Sequence, residues 1–231
     1  MSDKFTAKGE IDGLQFSPFF YFIFSSYLYY MRSLFFYILF TFSILKSFGQ
    51  CNGPITFTLT PTPPAGGYTP GTVVNVCVTL QSFTQTSANW FEGFDINLGP
   101  GWTNLTPVSA PANCGGASSG GQWLWMNSVT STATPVTTVG PGYFFDYVID
   151  GNPGNDFGDS NPSGNCSWTM CFSVKVSTIC TPQNLSIQVA AGADGVWGSY
   201  TSTACDNVTY VNVYNGTSNP TPVVLGPISH N

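Results

Sequence analysis

From residue 55 onward the chain alternates apolar and polar positions with period two. Ile55, Phe57 and Leu59 alternate with threonines, and Val74, Val76, Val78 and Leu80 with Asn75, Cys77, Thr79 and Gln81. Trp168, Met170, Phe172, Val174 and Val176 repeat the pattern against Thr169, Cys171, Ser173 and Lys175. Successive side chains of a strand point to opposite faces, so each run predicts a strand with one face in a core and one in water. Further strands are predicted at 90–98, with Trp90, Glu92, Phe94, Ile96 and Leu98 on one face, and at 122–127, 142–149, 185–189 and 208–214. Gly, Pro, Asn and Ser clusters separate the runs, and no useful length carries the i, i+3, i+4, i+7 stripe of a helix. Roughly eight to ten such strands predict an all-β, antiparallel, immunoglobulin-like β-sandwich with disulfides. Two loops, 107–121 and 150–165, are long for a compact sandwich, and loops of about fifteen residues are more often functional or mobile than idle.

The first fifty residues break this pattern. Residues 31–49 read as a secretory signal peptide: Arg32 supplies the positive end, 34–45 are apolar, and the small residues Ser47 and Gly49 precede a cut ahead of Gln50. The apolar run is short for a membrane span. Residues 14–30 form a second aromatic-rich apolar run. The expectation is that Met31 is the working start, with residues 1–30 a start placed too early. The alternative is an anchor in which 14–45 insert together, since one mid-helix charge costs about 2.5–3.5 kcal/mol and many Phe and Leu residues offset that. Lipidation of Cys51 is a weaker reading, because Phe48 stands where an aliphatic residue is usual. The sandwich is expected over 50–214, with 215–231 a Pro/Gly/Thr-rich tail or truncated linker.

Charge divides the chain at the same place. Lys4, Lys8, Arg32 and Lys46 precede Gln50; Lys175 is the one base after it, against eight acids. Such a chain has no electrostatic footprint for nucleic acid. Membrane contact is expected only through the N-terminal segment, if uncleaved. All seven cysteines (Cys51, Cys77, Cys114, Cys166, Cys171, Cys180 and Cys205) follow Gln50, which points to export into an oxidising compartment. They lack Cys-x-x-Cys spacing, and the one histidine is His230, so a thiolate metal site is disfavoured. Three disulfides and an odd thiol, Cys51, are expected. Sequence alone leaves the connectivity open; Cys77 with Cys171, Cys114 with Cys166 and Cys180 with Cys205 are the candidate pairs.

Three constellations are candidates for chemistry. Asp146, Asp150, Asn152, Asn155, Asp156 and Asp159 lie in DYVIDGNPGNDFGDS, a glycine-rich run whose oxygens could wrap Ca²⁺, although its spacing is not that of an EF-hand. The bland alternative is a solvated turn built on Asx chemistry. Glu92 and Asp95 are the candidate acid and base of a glycosidase, but an offset of three puts them on opposite faces of a strand. Other catalytic sets lack their inventory: His230 is a poor triad member, and Arg is missing for phosphoryl transfer. Trp123 and Trp125 share a face beside the first long loop and form the candidate ligand platform if that face is exposed. Apart from Ca²⁺, no cofactor is expected.

The segments WFEGFDINLGPGW (90–102), GYFFD (142–146), DGNPGNDFGD (150–159) and CSWTMCFSV (166–174), with Phe48-Gly49-Gln50-Cys51 ahead of them, resemble the N-terminal modules of adhesin-like surface proteins of gliding Bacteroidetes. Those proteins are gliding-motility-associated and exported by type IX secretion. The resemblance implies an extracellular or cell-surface, non-catalytic module that contacts a surface glycan or another surface protein. The departure is at the C-terminus: no basic sorting domain appears by Asn231, which implies either a truncated frame or a product that stops in the periplasm. A carbohydrate-binding module, Ca²⁺-dependent or not, is the alternative function, and a glycoside hydrolase a distant one.

Overall fold

The computed structural model describes residues 51–85, 89–115, 120–199 and 208–220. The expected signal peptide, the upstream run, Cys205 and His230 lie outside them. Eleven strands are described: β1 (Ile55–Thr60), β2 (Val73–Leu80), β3 (Phe91–Leu98), β4 (Trp102–Ser109), β5 (Gln122–Met126), β6 (Val129–Thr130), β7 (Thr138–Val139), β8 (Gly142–Asp146), β9 (Trp168–Val176), β10 (Ile187–Ala193) and β11 (Val208–Tyr214). A 3-10 turn spans Pro153–Asn155, and a single helical turn, α1, spans Asp194–Trp197. No helix among the described residues is long and apolar enough to cross a membrane.

The strands form a β-sandwich. One sheet has the order β1-β2-β9-β4, the other β11-β10-β3-β8-β5, and β6 with β7 makes a short ribbon. Every pairing is antiparallel. The inner faces meet in one core. Val74, Val76, Val78 and Leu80 of β2 and Trp168, Met170, Phe172, Val174 and Val176 of β9 pack against Phe91, Phe94, Ile96, Phe145, Ile187 and Val189 of the second sheet. Along β2 and β9 buried residues alternate with half-buried or exposed ones, as the hydrophobic period requires.

The strand order aligns with the two sheets of a constant-type immunoglobulin domain, with β5 and β8 added beside β3. The inter-sheet disulfide of antibody domains has no counterpart there. Cys77 and Cys171 are register partners on neighbouring strands of one sheet and are bonded to each other. The sandwich is established; the finer immunoglobulin-like expectation is not.

Several boundaries differ from the sequence reading. Strand β4 was not anticipated: it is an edge strand, carries Pro107 and is interrupted at Asn104, whose φ is 52°. A proline that cannot donate to the ladder is tolerated at an edge, and the interruption erases the alternation. The strand from Gly142 ends at Asp146 rather than at residue 149. The expected tail begins inside the domain: Ser218 N–H bonds Gln183 O, Gln183 N–H bonds Ser218 Oγ, and Asn219 N–H bonds Tyr68 O.

The cysteine expectations divide. Cys114 and Cys166 form the second expected bridge. Cys51 is not the odd thiol: it is disulfide-bonded and buried, next to Asn52, whose side chain donates to Ala191 O at 2.9 Å. Cys51 is thus built into the fold, and its bonded sulfur is not open to lipidation. Cys180, in the exposed turn after β9, is the free thiol among the described residues, so the Cys180–Cys205 pairing is not formed.

Candidate functional site: a carboxylate cluster under a loop layer

The outer face of the five-stranded sheet is covered. Phe144 of β8, Ala190 of β10, Val129 of β6 and Trp197 of α1 form a second, small core there. The aspartate-rich segment after β8 lies over this face. Gly158 lets it approach closely, because a Cβ at this position would sit 2.5 Å from the Phe91 carbonyl and 2.9 Å from Glu92 N. The segment is fastened by Thr132 N–H to Gly154 O at 2.8 Å and by Ser199 N–H to Asp156 O at 2.9 Å. At its far end Asp159 and Phe91 exchange backbone hydrogen bonds.

Strand β3 supplies the unexpected member of the site. A register shift against β10 takes Gly93 opposite Gly192 and Phe91 opposite Ala193, leaving Glu92 as the extra residue of a bulge. Phe91 therefore takes the core position, and Trp90 precedes the strand. Glu92 has 0 % of its surface exposed. Neither carboxylate oxygen has a hydrogen-bond partner. Burial, and then the negative charges of Asp194, Asp156 and Asp146, push its carboxyl well above the ordinary carboxylate range.

Around it the other acids are held by backbone N–H groups. Asp146 Oδ1 accepts Asp150 N–H at 3.2 Å and its Oδ2 accepts Gly151 N–H at 2.9 Å. Asp156 Oδ2 accepts Val148 N–H at 3.0 Å, and Asp194 Oδ1 accepts Trp90 N–H at 3.1 Å. These bonds fold the segment so tightly that the β-branched Ile149 sits at φ 61°, in the left-handed region. Burial raises the Asp156 carboxyl; the Val148 N–H opposes this, while a hydrogen bond with Asp146 and the charges of Asp146 and Asp150 reinforce it.

Of the six residues read from sequence as an ion loop, Asp146, Asp150 and Asp156 come together, with one oxygen from each within 4.8 Å of the others. Asp159 is committed elsewhere: its Oδ2 accepts Cys114 N–H and Trp168 Nε1–H, both at 2.8 Å. Asn152 and Asn155 are exposed and donate to Asp150, at 2.9 and 3.4 Å. The glycosidase pair does not assemble. Glu92 is sealed from solvent, whereas Asp95 takes Gly140 N–H at 2.7 Å and lines a groove with Leu98, Leu105 and Pro141.

The tryptophan platform is also corrected. Trp123 is 8 % exposed and packs on Phe91 and Phe145, while the half-buried Trp125 packs on Tyr143. Both lie on the core face of β5, where the sheet needs bulk. Another aromatic group reaches the surface at the loop layer, with Phe157 exposed and Trp90 and Tyr147 half-buried. Trp90, Tyr147 and Phe157 form a triangle with ring centroids 5.6 to 6.2 Å apart, flanked by exposed Val148 and Ile149. Beyond the loop aspartates, the sequence offered one further clue to the cluster, an acid on the apolar face at Glu92. It gave no sign of Asp194 or of the aromatic triangle, whose members meet only through the loop.

No protein-family model matches the chain, and no curated protein does either. Two solved structures are similar at low level. One is a family 123 glycoside hydrolase from Clostridium perfringens, described for glycolipid glycan hydrolysis, at 9% identity and TM-score 0.28, covering 67% of this chain and 22% of that one. The other is AvmM, described as catalysing macrocyclisation in alchivemycin A biosynthesis, at 12% identity and TM-score 0.28, covering 73% and 92%. The chain thus spans about a fifth of the hydrolase. Likeness of this degree carries no argument about activity.

Proposed function

We propose that this chain is an exported, non-catalytic recognition module of an adhesin-like surface protein, with its ligand surface on the loop layer. The observation that carries the reading is the aromatic triangle of Trp90, Tyr147 and Phe157. Phe157 is 39% exposed, and Val148 and Ile149 extend the apolar surface beside it. Contiguous exposed apolar surface rimmed by polar groups marks an interaction site. Aromatic faces offer large contact area at small entropic cost and suit the apolar faces of sugar rings. The disulfides support an oxidising compartment outside the cytoplasm, and the resemblance to gliding-associated surface modules supports cell-surface display.

The partner is a surface glycan or another surface protein. The acidic loop beside the triangle favours a carbohydrate-binding module as the form of this reading. Glycan-array binding by the purified chain, lost on Trp90→Ala and on Phe157→Ala with unfolding midpoints unchanged, supports it. Binding that survives both substitutions moves the ligand surface elsewhere, and hydrolysis of any bound polysaccharide overturns the non-catalytic assignment.

A further inference from the structure

We propose that Asp146, Asp150 and Asp156 bind a Ca²⁺ ion above the buried carboxylate of Glu92, and that this ion fixes the loop layer to the five-stranded sheet. Two independent observations carry this. One is geometric: an oxygen from each of the three aspartates lies within 4.8 Å of the others. Two oxygens about 2.4 Å from a shared Ca²⁺, on opposite sides of it, are separated by that span.

The second observation is Glu92. A surface group of acids is solvated and needs no explanation; this carboxylate is sealed inside, has no donor on either oxygen, and faces three more acids. Burying an ionised group without a partner is costly. Five of the eight acids after Gln50 (Glu92, Asp146, Asp150, Asp156 and Asp194) converge here. The single Lys or Arg among the described residues, Lys175, lies on β9 of the other sheet. A divalent ion would set two positive charges at one point beside Glu92, whose oxygens have no hydrogen-bond donor.

The donors select the ion. They are carboxylate oxygens, hard ligands suited to Ca²⁺ or Mg²⁺. Three carboxylates converging from one segment fit the higher and looser coordination of Ca²⁺, completed by carbonyl or water oxygens. Mg²⁺ demands near-ideal octahedral geometry and keeps its waters, so it binds more weakly here. The inference is independent of what the aromatic triangle binds.

The test is isothermal titration of the chelator-stripped full chain with CaCl₂, alongside thermal unfolding in Ca²⁺ and in chelator. One site and a rise in unfolding midpoint are expected. Asp150 is exposed, so Asp150→Asn should fold as the wild type does in chelator while its Ca²⁺ affinity falls about tenfold or more. Asp159→Asn, which lies outside the proposed set, should keep wild-type affinity. Absence of heat and of any midpoint shift at millimolar Ca²⁺ overturns the site. Undiminished binding by both Asp150→Asn and Asp156→Asn overturns it equally, by placing the ion elsewhere. Absence of glycan binding by the Ca²⁺-loaded wild type would count against the recognition reading alone.

Discussion

The outer faces of the two sheets are opposites. Among the described residues, that of the four-stranded sheet carries no second layer. Thr79 bonds Thr169 at 2.8 Å, Thr106 bonds Ser173 at 3.1 Å and Gln81 bonds Thr56 at 2.7 Å, around the Cys77–Cys171 bridge. Small neutral side chains in water need nothing more. That of the five-stranded sheet is roofed by a ribbon, a turn and a loop, with β8 buried along its whole length and a glutamate sealed beneath. A polar group on the first face is satisfied by solvent; a charge on the second must be satisfied by what the fold or a ligand provides. The second face is therefore where a specific chemical requirement can be read from structure.

The sharpest break of this contrast is across β9. Phe172→Ala, on its core side, should cost about 3–5 kcal/mol. Thr169→Ala, on its bare side, should stay within about 0.5 kcal/mol. Urea unfolding under oxidising conditions measures both, and a comparable loss at Thr169 would mean that its face is covered in solution. Removing the bridge on the same face by Cys77→Ser with Cys171→Ser should cost about 2–4 kcal/mol, because it closes a long loop in the unfolded chain. A loss well under 1 kcal/mol would leave the hydrogen bonds between β2 and β9 as the main tie.

On the roofed face Glu92→Gln should behave differently according to cation. The amide carries N–H donors for the neighbouring carboxylates at every pH, which ionised Glu92 does not. In chelator the variant should match or exceed the wild type by up to about 1 kcal/mol. In Ca²⁺ at a hundredfold excess over its dissociation constant the wild type should gain about 2.7 kcal/mol and overtake it. An unchanged ranking in the two conditions would disconnect Glu92 from the ion.

The contrast also explains what the sequence made legible. Period-two alternation reports a sheet with one wet face, so β9 was readable to the residue and β2 to within one. It fails where both faces are covered: GYFFD and IQVAAGA offer no alternation, and a bulge reverses the side on which Glu92 falls. Trp123 and Trp125 were placed on one face correctly, but nothing local says which face a roof makes dry. Three of the six loop residues meet as expected, because they are close in sequence. Glu92 and Asp194 join them through strand pairing across long separations, which no local spacing encodes.

The smallest expected effect lies at the margin of the roofed face. Asp95 is partly buried, and burial raises its carboxyl above the ordinary range, opposed by N–H bonds from Gly140 and Ile96. With the folded value above the unfolded one, the native state holds the proton more tightly. Stability from this group is then greatest below the unfolded value, about pH 3.9, and falls as pH rises through the folded value. Asp95→Asn keeps an oxygen for Gly140 N–H and removes that slope. The stability of the variant relative to wild type should therefore rise with pH across the carboxylate range and level off above it, by about 0.5 kcal/mol after allowance for solvent screening. Urea unfolding of both proteins from pH 3.5 to 7 reads the difference directly, and the other acids titrate identically in each. A flat or falling difference would mean that the groove beside Asp95 is wet enough to solvate its charge, and that the roofed face ends short of it.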